Sequence, residues 1–157
     1  MNTQTIKIAP VKKILIVRTS QAKAFEVFTA GLDRWWPKSH GIGGTPLKLS
    51  VIEPFKGGRW YSVHEDGSEV TVGHLLAWEP PSRIVFSWEI SAEWKPDASV
   101  ASEVEVRFIA EGPHSTRVEL EHRNFEALGQ EGGEKMRKGV DGGWPGILEM
   151  FGTEAAR

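Results

Sequence analysis

Between residues 83 and 121 apolar side chains return at every second position. Ile84, Phe86, Trp88 and Ile90 do so in RIVFSWEI. Val104, Val106 and Phe108 alternate with Glu103, Glu105 and Arg107, and Val118 and Leu120 alternate with Arg117, Glu119 and Glu121. A period of two belongs to a strand with one dry face and one wet face. Upstream, LKLSVIE, RWYSVHE and EVTVGHLLAWE extend the series, and Asp66-Gly67, Pro80-Pro81 and Gly112-Pro113 supply the breaks between strands. Six strands at short, regular spacing predict an antiparallel meander, and its dry face needs a cover.

The rest of the chain supplies that cover. VKKILIVRT, from Val11, reads as a first strand. Ser20 is a helix cap ahead of QAKAFEVFTA, where Ala24, Phe25 and Phe28 mark one face, and LDRWW closed by Pro37 reads as a second short helical turn. Near the end, Met136, Val140, Trp144, Ile147, Leu148 and Phe151 recur at spacings of three and four. Gly142-Gly143 and Pro145 interrupt that stripe, so the pattern predicts a shorter helix near 131–139 and a terminal helix over about 143–155, with Pro145 in its first turn. The segment SHGIGGTP is read as loop; Gly41-Ile42-Gly43-Gly44 lacks the flanking strand and Lys-Ser/Thr of a phosphate cradle. The expected fold class is α+β: a curved antiparallel sheet of six to seven strands wrapped around a long C-terminal helix, with two short helices after the first strand. All 157 residues are read as one domain, its core spanning about 11–152.

Composition narrows the chemistry. There is no cysteine, which removes disulfides, thiolate zinc sites and thiol nucleophiles. Nineteen basic residues against 21 acidic ones give a net charge of -2, so no nucleic-acid partner is expected. The N-terminus has no apolar targeting core and no apolar run approaches ~18 residues, so no membrane partner is expected and the expected address is the cytoplasm. Tryptophan is over-represented: 7 indoles against a single tyrosine need either a bulky core or a lined cavity.

In order and spacing these pieces resemble the SRPBCC superfamily, the START-like and polyketide-cyclase-like helix-grip domains. Within it they resemble the homologues of the activator of heat-shock protein 90 ATPase. The resemblance is carried by Ala24-Phe25-Glu26-Val27-Phe28, Trp35-Trp36, Gly57-Gly58-Arg59-Trp60, the run from Gly73 to Trp88, Thr116 to His122, and Gly143-Trp144 with Leu148. It implies an apolar cavity between sheet and terminal helix, used in that superfamily for lipids, polyketides or hormones. In the eukaryotic activator a separate N-terminal domain grips the chaperone, and a chain of this length is expected to lack it.

Strand parity assigns the walls of such a cavity. Phe86 and Trp88, Phe108, and His122 share the dry face with Trp144, Leu148 and Phe151 of the helix, while Phe28 and Trp36 close one end. These nine are the expected ligand-contacting residues, around a pocket of roughly 300–1,000 Å³. His122 has two readings: a core histidine bonded to a carbonyl, or an acid/base for a ligand. The parity of His64 and His74 is less certain. Adjacent residues of a strand point oppositely, so neither His64-Glu65 nor Glu121-His122 makes a metal site, and no metal or other cofactor is expected. No nucleophile elbow is present. Glu103, Glu105, Glu119 and Glu121 fall on the outer face and are expected to be solvated. Three functions compete. The leading one is binding of a small apolar or aromatic molecule. The second is a cyclase- or dehydratase-like enzyme acting on a ketide-like substrate, with His122 as acid/base. The third is a partner-binding or homodimerising module.

Overall fold

The computed structural model describes residues 7–40, 42 and 45–157. Seven strands, β1 (Val11–Val17), β2 (Leu47–Ile52), β3 (Arg59–His64), β4 (Glu69–Glu79), β5 (Arg83–Trp88), β6 (Ser102–Gly112) and β7 (Ser115–Arg123), form one curved antiparallel sheet. Its order is β1-β7-β6-β5-β4-β3-β2, so the first strand closes against the last and the other six follow as a meander. Two short helices, α1 (Gln21–Phe28) and α2 (Leu32–Trp35), follow β1, and α3 (Gln130–Ala155) crosses the concave face. The expected helix-grip architecture is the one observed. The glycine-rich loop reading at Gly41, Gly43 and Gly44 lies outside the described residues.

Local chemistry places each helix. The Ser20 side chain accepts from the backbone N–H of Lys23 and caps α1, which buries Ala24, Phe25, Val27 and Phe28. Trp35 of α2 donates its indole N–H to the carbonyl of Val27 at 2.7 Å, tying the two helices together.

The expected break in α3 does not occur. A single helix runs through Gly142, Gly143 and Pro145, 26 residues long. An interior proline costs roughly 3 kcal/mol and each glycine about 0.5–1 kcal/mol relative to alanine. Burial on both sides of the weak point outweighs this: Met136 and Val140 dock before it, and Trp144, Ile147, Leu148 and Phe151 after it. Fully burying one such side chain is worth about 1.5–3 kcal/mol.

The outer face also departs from expectation. Glu105 is only 7% exposed. Its Oε2 accepts from Arg83 Nε at 2.5 Å and Arg107 Nε at 2.9 Å, and its Oε1 from Arg123 Nη1 at 2.5 Å. Glu105 sits on β6 between β7 and β5, so Arg123 and Arg83 from those two strands, with Arg107 of β6 itself, fold over it and take it out of water. Burial by itself would raise the Glu105 carboxyl, but the three guanidinium hydrogen bonds outweigh it and hold the group at about 2. Glu103, Glu119 and Glu121 remain partly exposed, as expected.

Candidate functional site

The aromatic side chains divide the concave side into two ends. At one end phenylalanines pack edge to face: Phe25 on Phe108, Phe28 on Phe108 and Phe28 on Phe151, with ring centroids 5.2–5.7 Å apart. Trp35 adds its ring to Phe28 and Phe151. This end is solid. At the other end the indoles of Trp36, Trp60, Trp88 and Trp144 form a linked series with centroid separations of 5.0–6.3 Å. Here the interior opens into a cavity of about 370 Å³.

Of the nine residues expected to contact a ligand, Trp36, Trp88 and Trp144 line this cavity. Phe28, Phe108 and Phe151 belong to the solid end, and Phe86 packs against Trp60 at 4.7 Å. Leu148 is buried in the core. The remaining wall comes from residues that parity alone did not single out. Trp60 and Ser62 project inward from β3, Leu47 and Ser50 from β2, and Val72 from β4. Val140 and Ile147 contribute from α3, and Trp94 from the loop between β5 and β6. Trp60 and Ser62 were recoverable in principle, because they share one face of β3, two residues apart. Trp94 was not, since its loop carries no periodicity.

Trp94 has a backbone φ of 61°, unusual for a bulky residue, and its ring lies over α3 at Gly139. A Cβ at Gly139 would stand 2.8 Å from Trp94 Cζ2, so the close approach requires glycine there. The indole N–H of Trp88 is buried and has no partner among the described residues.

His122 lies behind Trp88 and Trp144, fully buried and off the cavity wall. The indole N–H of Trp144, which can only donate, reaches Nδ1 at 3.1 Å. The proton of the neutral ring is therefore on Nε2, which donates to Ser102 Oγ at 2.8 Å. Burial pushes the imidazole down to about 3. Both nitrogens are occupied and protonation is disfavoured, so the acid/base role considered for His122 has no free atom to act through. This is the geometry of a core histidine, with serine and indole partners in place of a carbonyl.

The other two strand histidines part company. His64 projects inward and is fully buried beside Ser62. His74 projects outward and is half-exposed, with Nδ1 2.7 Å from Glu89 Oε2. Glu89 also accepts from Ser87 Oγ at 2.5 Å. Among the described residues no three carboxylate or imidazole groups converge as a metal-ligand set. No helix among them is long and apolar enough to cross a membrane.

Residues 18–155 match the family profile described as Activator of Hsp90 ATPase homolog 1-like protein. No curated protein sequence is a significant match. Among solved structures, the chain is similar to the anthrahydroquino-gamma-pyrone synthase Txn09, complexed with SUM. The identity is 39% over 94% of this chain and 97% of that one, with a TM-score of 0.66. It is also similar to CalC, a self-sacrificing resistance protein from Micromonospora echinospora. There the identity is 30% over 93% of each chain, with a TM-score of 0.69. An Hsp90 activator from Plasmodium falciparum shares the fold at 21% identity and a TM-score of 0.52, over 73% of this chain and 72% of that one.

Proposed function

The chain belongs to the family of Activator of Hsp90 ATPase homolog 1-like proteins, and from that membership we propose that it binds a small, flat apolar or aromatic molecule in the cavity at the tryptophan end. The observation that carries the reading is the contrast between the two ends. One set of rings packs solid, while Trp36, Trp60, Trp88, Trp94 and Trp144 stand around about 370 Å³ of unfilled space. Native interiors are packed to about the density of organic crystals, so an unfilled apolar volume of this size is costly unless something occupies it. It falls within the usual range for small-molecule sites.

The test is uptake of the fluorophore N-phenyl-1-naphthylamine. The wild-type protein is expected to bind it with a rise in emission. Gly143 lines the cavity, and a Cβ there meets nothing within 4 Å. Gly143→Phe therefore fills the cavity from the helix side, and uptake is expected to weaken by about tenfold or more, a change of ~1.4 kcal/mol. No uptake by the wild type, or equal uptake by both proteins, overturns the reading.

A second reading is favoured by the 39% identity to a synthase named for an aromatic pyrone product. In it the cavity holds a ketide-like substrate and promotes its cyclisation or dehydration. His122 is not its acid/base. Incubation with a panel of aromatic ketides, followed by mass spectrometry, separates the readings: a product smaller by one water supports the enzyme, and unchanged ketides support binding alone.

A further inference from the structure

We propose that Ser62, backed by His64, is the acceptor in the cavity for a ligand hydroxyl, so that the site selects an aromatic alcohol over the matching hydrocarbon. The inference rests on the cavity being a ligand site and adds which chemical group the ligand carries.

The argument follows from where each proton must sit. His64 is fully buried, and its Nδ1 is 2.7 Å from the carbonyl oxygen of Thr45. A carbonyl only accepts, so Nδ1 carries the hydrogen, and in the neutral ring Nε2 offers a lone pair. Ser62 Oγ is 3.1 Å from Nε2 and donates its one hydrogen there. The direction of the chain is thus set from its far end. What Ser62 has left is a lone pair, on a side chain that lines the cavity. Ser50, its register partner on β2, stands beside it on the same wall. Apart from Ser39 and His40, the rest of the lining is indole, aliphatic or glycine, so the serine pair is a small polar strip on a largely apolar wall. A buried acceptor that goes unanswered costs free energy, and a ligand donor in reach recovers it. A ligand carbonyl would gain nothing from Ser62, whose hydrogen is already committed; a ligand hydroxyl would.

The experiment compares 2-naphthol with 2-methylnaphthalene, which share one ring system and differ in a hydroxyl against a methyl group. Binding to the full chain is followed by quenching of tryptophan emission. The wild type is expected to favour 2-naphthol by about three- to tenfold, the range expected of one net hydrogen bond. Ser62→Ala is expected to remove that preference. Long-range ¹H–¹⁵N spectra of the wild type supply a second readout that needs no variant. The His64 Nε2 resonance is expected to move with 2-naphthol and stay with 2-methylnaphthalene. Equal binding of both probes with His64 unmoved overturns this assignment and leaves the ligand site standing, as does a preference lost in Ser50→Ala but kept in Ser62→Ala. Failure of the wild type to bind either probe overturns the ligand-site reading itself.

Discussion

The indole N–H of Trp144 on α3 donates to Nδ1 of His122 on β7 across 3.1 Å, joining helix to sheet at a point where neither residue touches solvent. One nitrogen of His122 is held as an acceptor by a group that cannot accept in return. Protonating the ring would place two hydrogens against each other in a dry interior.

Burial of that imidazole makes stability depend on pH. The folded pKa of His122, about 3, lies below the value near ~6.5 of the unfolded chain. Between these values the unfolded state binds a proton that the native state refuses, so its contribution to stability is complete above ~6.5 and is lost as pH falls toward 3. The slope is about 1.4 kcal/mol per pH unit over that window. Urea unfolding at a series of pH values is expected to show a shallower acid dependence in His122→Gln than in wild type, by close to one proton. Equal slopes would remove His122 from the acid response.

Glu105 acts in a lower window. Its depressed carboxyl stabilises the fold above the ordinary carboxylate pKa of 4.5, and that contribution disappears as pH falls through about 2. Glu105→Gln is expected to destabilise by about 1–3 kcal/mol at pH 7, because the three guanidinium groups lose the shared negative charge and one acceptor oxygen becomes a donor facing them. The loss stays modest since the arginines are themselves about a third or more exposed. The same urea series, compared at pH 7 and pH 3, checks both the size and the narrowing of the gap.

Among the described glycines, Gly73 is the least able to accept a side chain. A Cβ there would stand 1.7 Å from the carbonyl oxygen of Ser87 on the paired strand, a backbone atom that cannot swing aside. Gly73→Ala is expected to cost about 3 kcal/mol or more, readable as a lowered thermal midpoint, since β4 and β5 must separate to admit it.

Gly139 makes the opposite prediction. The atom that its Cβ would meet belongs to the half-exposed Trp94 side chain, which can turn away, and alanine is the better helix former by about 0.5–1 kcal/mol. Gly139→Ala is therefore expected to hold or raise the thermal midpoint while weakening N-phenyl-1-naphthylamine uptake, because one aromatic wall is displaced. An aromatic contact is worth about 0.5–1.5 kcal/mol, or roughly two- to twelvefold in affinity.

Legibility of this protein from its sequence follows the range over which each signal acts. Strand and helix periods are local, and they placed seven strands, the two early helices and the dry faces of β5, β6 and β7 without help from the fold. The same periods put Phe28, Phe86, Phe108 and Phe151 beside Trp36, Trp88 and Trp144 as one undivided wall, since parity names a face and says nothing about position along it. Folding separated them: Phe28 packs with Phe108 and Phe151 at one end, Phe86 packs on Trp60, and Trp36, Trp88 and Trp144 stand around the opening.

The features misjudged from sequence share that cause. Pro145 and its glycines weaken the helix locally, and only the docking of residues on both sides against the sheet keeps α3 continuous. Glu105 looks solvated on its own strand and is covered by Arg83 and Arg123, which arrive from the strands on either side, together with Arg107. Ser62 and His64 share a face by parity, but the direction of their hydrogen bond comes from Thr45, 19 residues away from His64. Sequence alone determined which side of β5, β6 and β7 is dry, because alternation is a property of neighbouring residues. Tertiary structure alone decided where the dry side stays open and where protons point within it, because both depend on atoms that the chain brings together only after it has curved.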